Sequence, residues 1–146
     1  MKDNLWAGEA QPNTSFLLQV VKLPIVIIVL AEIILIILTE RYWQEVYWWL
    51  DYQLYFFIGI DVLAGFWAGY LLSRSVKNRI NLAQPAYTAG ALAGLLAGLL
   101  LAIFKIFWYH KFWTFFNLIS EPLMLGFLGA VLVRWSVSLF DKIFKN

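Results

Sequence analysis

Four stretches of this chain are each about twenty residues long and nearly free of charge, and they limit what it can fold into. They lie at about 16–38, 52–73, 86–108 and 118–140. The hydrocarbon core of a bilayer is crossed by about 20 apolar residues rising 1.5 Å each. The expected fold is all-α: an integral membrane four-helix bundle. Composition points the same way, with 62% hydrophobic and 14% charged residues in 146. A soluble domain is about half apolar and a quarter charged. A single small core cannot hide the excess, so lipid must solvate it.

The flanks are short. Residues 1–15 form a polar tail in which Thr14 and Ser15 are candidate helix caps. The first span is too long for a signal-peptide core, and no small-residue cleavage site follows it. Pro85 opens the third span, a position where proline is tolerated. The start of the fourth is open. Ser120 and Pro122 suit a helix start there, whereas a helix beginning near Phe112 would kink at Pro122. Residues 141–146 form a short tail.

Charge distribution sets the expected orientation. With four spans, both termini and the middle loop share one side. That side holds Lys2, Lys22, Arg74, Lys77, Arg79, Arg134, Lys142 and Lys145. The other holds Arg41, Lys105 and Lys111. By the positive-inside rule both termini face the cytoplasm of a cell membrane. The outer loop "ERYWQEVYWWLDY" places Tyr42, Trp43, Val46, Tyr47, Trp49 and Leu50 on one helical face. It reads as an interfacial helix or an extension of the second span. The second outer loop, "WYHKFWTFF", is equally aromatic, and both fit a belt at the headgroups.

Eight of nine glycines lie within spans two to four. Gly90, Gly94 and Gly98 recur every fourth residue in span three, as Gly65 and Gly69 do in span two. Helices in lipid associate through close backbone packing, and small residues at this spacing permit it. Depth matching sets Gly69 opposite Gly90 and Gly65 opposite Gly94, so spans two and three are expected to form a glycine-lined hairpin. A contact between two copies is the alternative use of the stripe. The segments "LAGFWAGYLL" and "LAGLLAGLLL" look alike, and shared packing demands explain the likeness as well as a repeat does.

Besides Lys22 and Arg134, which lie near the inner face and can snorkel to phosphates, four charged residues interrupt the apolar runs: Glu32, Asp61, Lys105 and Glu121. These four fall in the outer half of the expected bilayer. A lone charge at mid-membrane costs about 2.5–3.5 kcal/mol on insertion scales. Such a group needs a partner, a wet cavity or a bound proton. Glu32 and Asp61 can face one shared cavity, and Lys105 can reach toward them or snorkel outward. The set is a candidate ion- or proton-binding site. The simpler account, and the favoured one, is a polar clasp between helices; a dock for a partner's basic residue is the third.

The rest of the sequence argues against enzyme chemistry. There is no cysteine, which removes disulfides and thiolate ligands. The single histidine, His110, sits in an outer loop where a bland interfacial role suffices. No phosphate loop, nucleophile elbow or metal-ligand cluster appears, so no catalytic residue, metal or cofactor is expected. A net charge of +2 is too small to suggest nucleic acid.

The stretch "LAEIILIIL" at 30–38 resembles the first span of the small multidrug resistance transporters, four-span proteins with an essential membrane glutamate after "LA". The resemblance covers only these residues and implies a cation-coupled role for Glu32. Pro24, the long N-terminal tail and the further intramembrane acids depart from that pattern. The leading expectation is a non-enzymatic accessory or assembly subunit, whose partners are the bilayer and other membrane proteins or further copies of itself. The alternative is a small proton- or cation-coupled transporter or channel using Glu32 and Asp61.

Overall fold

The computed structural model describes residues 12–42, 47–75 and 82–144. Its helices are α1 (Thr14–Arg41), α2 (Tyr47–Ser75), α3 (Ala83–Tyr109) and α4 (Asn117–Phe144), with a short 3-10 helix at Phe112–Phe116. Each of the four long helices has the length and apolarity to cross a membrane.

The helix ends follow local chemistry. Asn13, not Thr14 or Ser15, caps α1. Its extended backbone leaves Oδ1 free to accept from the Phe16 N–H at 2.9 Å, while Thr14 and Ser15 are already helical. Ser15 instead donates its hydroxyl to the same Asn13 oxygen at 2.8 Å. The open question at span four has a composite answer. The 3-10 helix at Phe112–Phe116 runs directly into α4, and Pro122 lies inside that helix. α2 begins by Tyr47, so that part of the aromatic loop extends the second span, while residues 43–46 lie outside the described residues. So do residues 76–81 of the middle loop, with Lys77 and Arg79. α3 ends at His110, whose φ of 50° is the left-handed conformation that closes a helix.

The glycines pack differently from the expected hairpin. α2 and α3 make the least contact of any packed helix pair, and α3 and α4 the most. A Cβ on Gly90 would strike the Gly129 carbonyl, one on Gly94 the Leu125 carbonyl, and one on Gly98 the Pro122 Cα at 2.6 Å. These pairs run in opposite senses, so α3 and α4 are antiparallel, backbone against backbone. Gly65 and Gly69 meet Leu132 and Ser136 instead, again on α4 but in parallel. Phe66–Trp135 and Tyr70–Phe140 ring contacts, both edge-on at 5.4 Å, continue that seam. α4 therefore receives both stripes. It can do so because Gly126, Gly129 and Ala130 thin its own surface. With the stripes filled inside the chain, they are not available to a second copy.

α1 packs on α2 and α3. The order around the bundle is thus α2, α1, α3, α4, with α2 and α3 diagonal. α1 runs antiparallel to α2 and α4, which sets the start of α1 and the end of α4, here called the terminal end, on one side. In the half nearer that end the core is tight. Leu17, Val21, Leu72, Ala86, Ala89, Val133 and Val137 are buried together. Ser136 donates its hydroxyl across to the Phe66 carbonyl at 2.9 Å.

Candidate functional site

The far half of the bundle is built otherwise. α2 and α4 touch at Gly65 and Gly69. Further out the α2 residues on that side, Leu54, Phe57, Ile58 and Asp61, line open space instead. Between the two helices lies a cleft of about 920 Å³ that holds Glu32, Asp61, Lys105 and Glu121. All four ionisable residues singled out in the sequence are therefore brought to one place, one from each helix.

Glu32 is the most enclosed, at 5% exposure on a helix that is otherwise aliphatic here. Its carboxyl lies within hydrogen-bonding reach of Asp61. Two carboxyl groups can bond to each other only when one carries a proton, because an ionised carboxylate accepts and cannot donate. Lys105 forms an ion pair with Glu121, not with Glu32 or Asp61. Gly98 stands level with Pro122, and Lys105 lies seven residues, about 10 Å, beyond Gly98. Helical side chains tilt toward the N-terminus, so the long Lys105 stem leans back to the Glu121 level.

The cleft carries excess negative capacity. Three acids (Glu32, Asp61, Glu121) face one base (Lys105), a difference of two. Asp61 Oδ1 and Glu121 Oε2 are buried and have no hydrogen-bond partner among the described residues. Buried polar atoms are normally satisfied, so such oxygens mark unused binding capacity. Asp61 also lines a second, narrow cavity of about 40 Å³ on the bundle axis, between Pro24, Gly65, Gly94 and Gly129. That is room for a water or two. Beyond it toward the terminal end the core is closed.

Three further polar residues, Tyr109, Asn117 and Ser120, line the cleft and were not singled out in the sequence. The signal was there: residues 117, 120 and 121 share one helical face by their three- and four-residue spacing. In the sequence Tyr109 reads as part of the aromatic belt and Ser120 only as a helix start. At the rim, the Tyr109 hydroxyl is within hydrogen-bonding reach of Glu40, and the Arg41 guanidinium lies 5.7 Å from the Trp108 ring centre. His110 is exposed and lies apart from the cleft. Among the described residues no group of three His, Cys, Asp or Glu side chains is disposed to hold a metal.

A bundle of four membrane-length helices defines the class: a small multi-pass membrane protein. No protein-family model matches the chain, and neither a curated protein nor a solved structure is significantly similar to it. The likeness at residues 30–38 to the small multidrug resistance transporters is thus a local one.

Proposed function

We propose that this protein is a non-enzymatic accessory or assembly subunit that works by binding another protein within the membrane. One observation carries the reading. The charged cleft is walled mainly by α2 and α4, and its exposed apolar residues all belong to those two helices, while the other half of the bundle is packed shut. A polar site aimed along the plane of the bilayer serves a neighbour in that plane better than a solute crossing it. The terminal end, with Lys22, Arg74, Arg134 and Lys142, faces the cytoplasm in this reading. Mild detergent extraction from native membranes, followed by native mass spectrometry, tests it. A stoichiometric second protein is expected. Recovery of this chain only as a monomer or homo-oligomer would overturn the proposal.

A second reading has its own support. Asp61 lines both the cleft and the axial cavity, as a relay acid in a proton- or cation-coupled transporter would. Proton flux into liposomes holding the purified chain, abolished by Glu32→Gln, is the result that would move the weight there.

A further inference from the structure

The direction, depth and charge of the cleft together specify what would fill it. Its rim is apolar and turned outward: Leu54 and Ile58 on α2, Leu123, Met124 and Phe127 on α4, each exposed. Its floor is acidic, with two more acids than bases and two carboxyl oxygens that nothing in the described residues satisfies. An apolar rim around an acidic floor complements an apolar helix that carries one long basic side chain. Lysine and arginine suit the arrangement because a flexible stem lets the charge reach inward while the helix stays at the rim. Intramembrane charges are rare and pair with one another when they occur.

Resting on the accessory-subunit reading, we propose that the α2–α4 cleft is the docking site for one transmembrane helix of the partner protein, which inserts a lysine or arginine toward Glu32 and Asp61. The glycine contact at Gly65 and Gly69 acts as the stop. It holds α2 and α4 together in the terminal half, so the incoming helix engages only the far half.

The probe is a leucine-rich transmembrane peptide of about 23 residues with a single lysine, placed in separate peptides at the centre and one turn to either side. The all-leucine host is its control. Full-length protein in phosphatidylcholine vesicles is titrated with each peptide, and association is read by energy transfer. One lysine peptide is expected to bind about tenfold or more tightly than the host, a difference of about 1.4 kcal/mol. Glu32→Gln with Asp61→Asn should abolish that preference. A photocrosslinker at Met124 should capture the peptide, and one at Leu30, exposed on α1, should not.

Equal binding of the lysine and leucine peptides overturns the proposal. So does capture of lipid alone at Met124. Tetraphenylphosphonium, an apolar cation, is run beside the peptides. If it binds with the same dependence on the two acids and no lysine peptide does, the site takes a small cation and the proposal falls. Should the double variant fail to fold, a peptide bearing glutamate in place of lysine carries the test on the native chain. It must bind more weakly than the host. The vesicle result and the native-membrane result separate the two claims. A natural partner without lysine preference in vesicles docks elsewhere, whereas lysine preference without any natural partner sinks the accessory reading and leaves the site.

Discussion

The two halves of this bundle solve opposite problems with the same helices. In the half nearer the terminal end, α4 closes on α2 at Gly65 and Gly69, while against α3 it lies backbone to backbone from Gly90 outward to Gly98. In the far half a cleft lies between α2 and α4, and four ionisable groups share the space. Lipid offers helices little hydrophobic reason to associate, so a small membrane protein holds together by close contact. Here the α3–α4 contact runs through both halves, and the α2–α4 glycine contact is confined to the closed half, which leaves the far half open enough on that side to hold charge. The contrast can be tested by making similar changes in each half.

The largest effect is expected at Gly94. Gly94→Val places a branched side chain against the Leu125 carbonyl, which cannot retreat without opening α4. Overpacking of this kind costs about 3 kcal/mol. Thermal unfolding in detergent should show a large loss of the monodisperse fraction. Gly59→Ala is the counterpart in the open half. It meets no neighbour and trades a poor helix former for a good one, worth up to about 1 kcal/mol in favour of the fold. A similar loss at Gly59 would mean that its face of α2 is in contact with something in the native protein.

Next comes the ion pair. Lys105 and Glu121 retain 22% and 16% side-chain exposure, between the surface and buried extremes. Surface pairs contribute about 0–1 kcal/mol, and breaking a buried pair by removing one partner costs about 3–5 kcal/mol. Lys105→Met is therefore expected to cost about 2 kcal/mol, read from the same unfolding curves. Lys105→Met with Glu121→Met should recover most of it, because no orphaned charge remains. If the double variant is no better than the single, Glu121 is satisfied by something other than Lys105.

The acid pair should behave in the reverse manner. Glu32→Gln with Asp61→Asn keeps shape and hydrogen-bonding capacity. Interhelical hydrogen bonds in membranes average about 0.6 kcal/mol, so stability should change by less than about 1 kcal/mol. Partner recovery from native membranes should nevertheless be lost. A fall in stability of about 2 kcal/mol or more would make these residues a clasp that fixes the helices in register, and would assign the open half a structural task.

This division was only partly legible in the sequence. The spans were, because hydropathy over about 20 residues is a property of the segment alone. The membership of the site was as well: a charge inside an apolar run is conspicuous, and Glu32, Asp61, Lys105 and Glu121 were marked by that criterion. Which helix meets which was not. Gly65, Gly69, Gly90, Gly94 and Gly98 announce close packing, but a stripe of small residues does not name its partner. Depth matching between consecutive spans favoured α2 with α3. It overlooked α4, where the four-residue spacing is a single step, Gly126 to Ala130, with Gly129 off it. The Lys105–Glu121 pair depends on that antiparallel register and was out of reach for the same reason.

The smallest prediction lies within the closed half and asks what a hydroxyl does there. Ser136 and Ser73 are both buried. Ser136 donates to the Phe66 carbonyl on α2, tying α4 to α2 beside the Gly69 contact. Ser73 Oγ has no partner among the described residues. Ser136→Ala should cost about 0.6 kcal/mol, the average for a bond between membrane helices. Ser73→Ala removes a buried hydroxyl that forms no bond among the described residues, and should be neutral or slightly stabilising. The sign of the difference matters more than its size. If Ser73→Ala is the more damaging change, the closed half contains a polar contact beyond the described residues, and its seam depends on more than glycine.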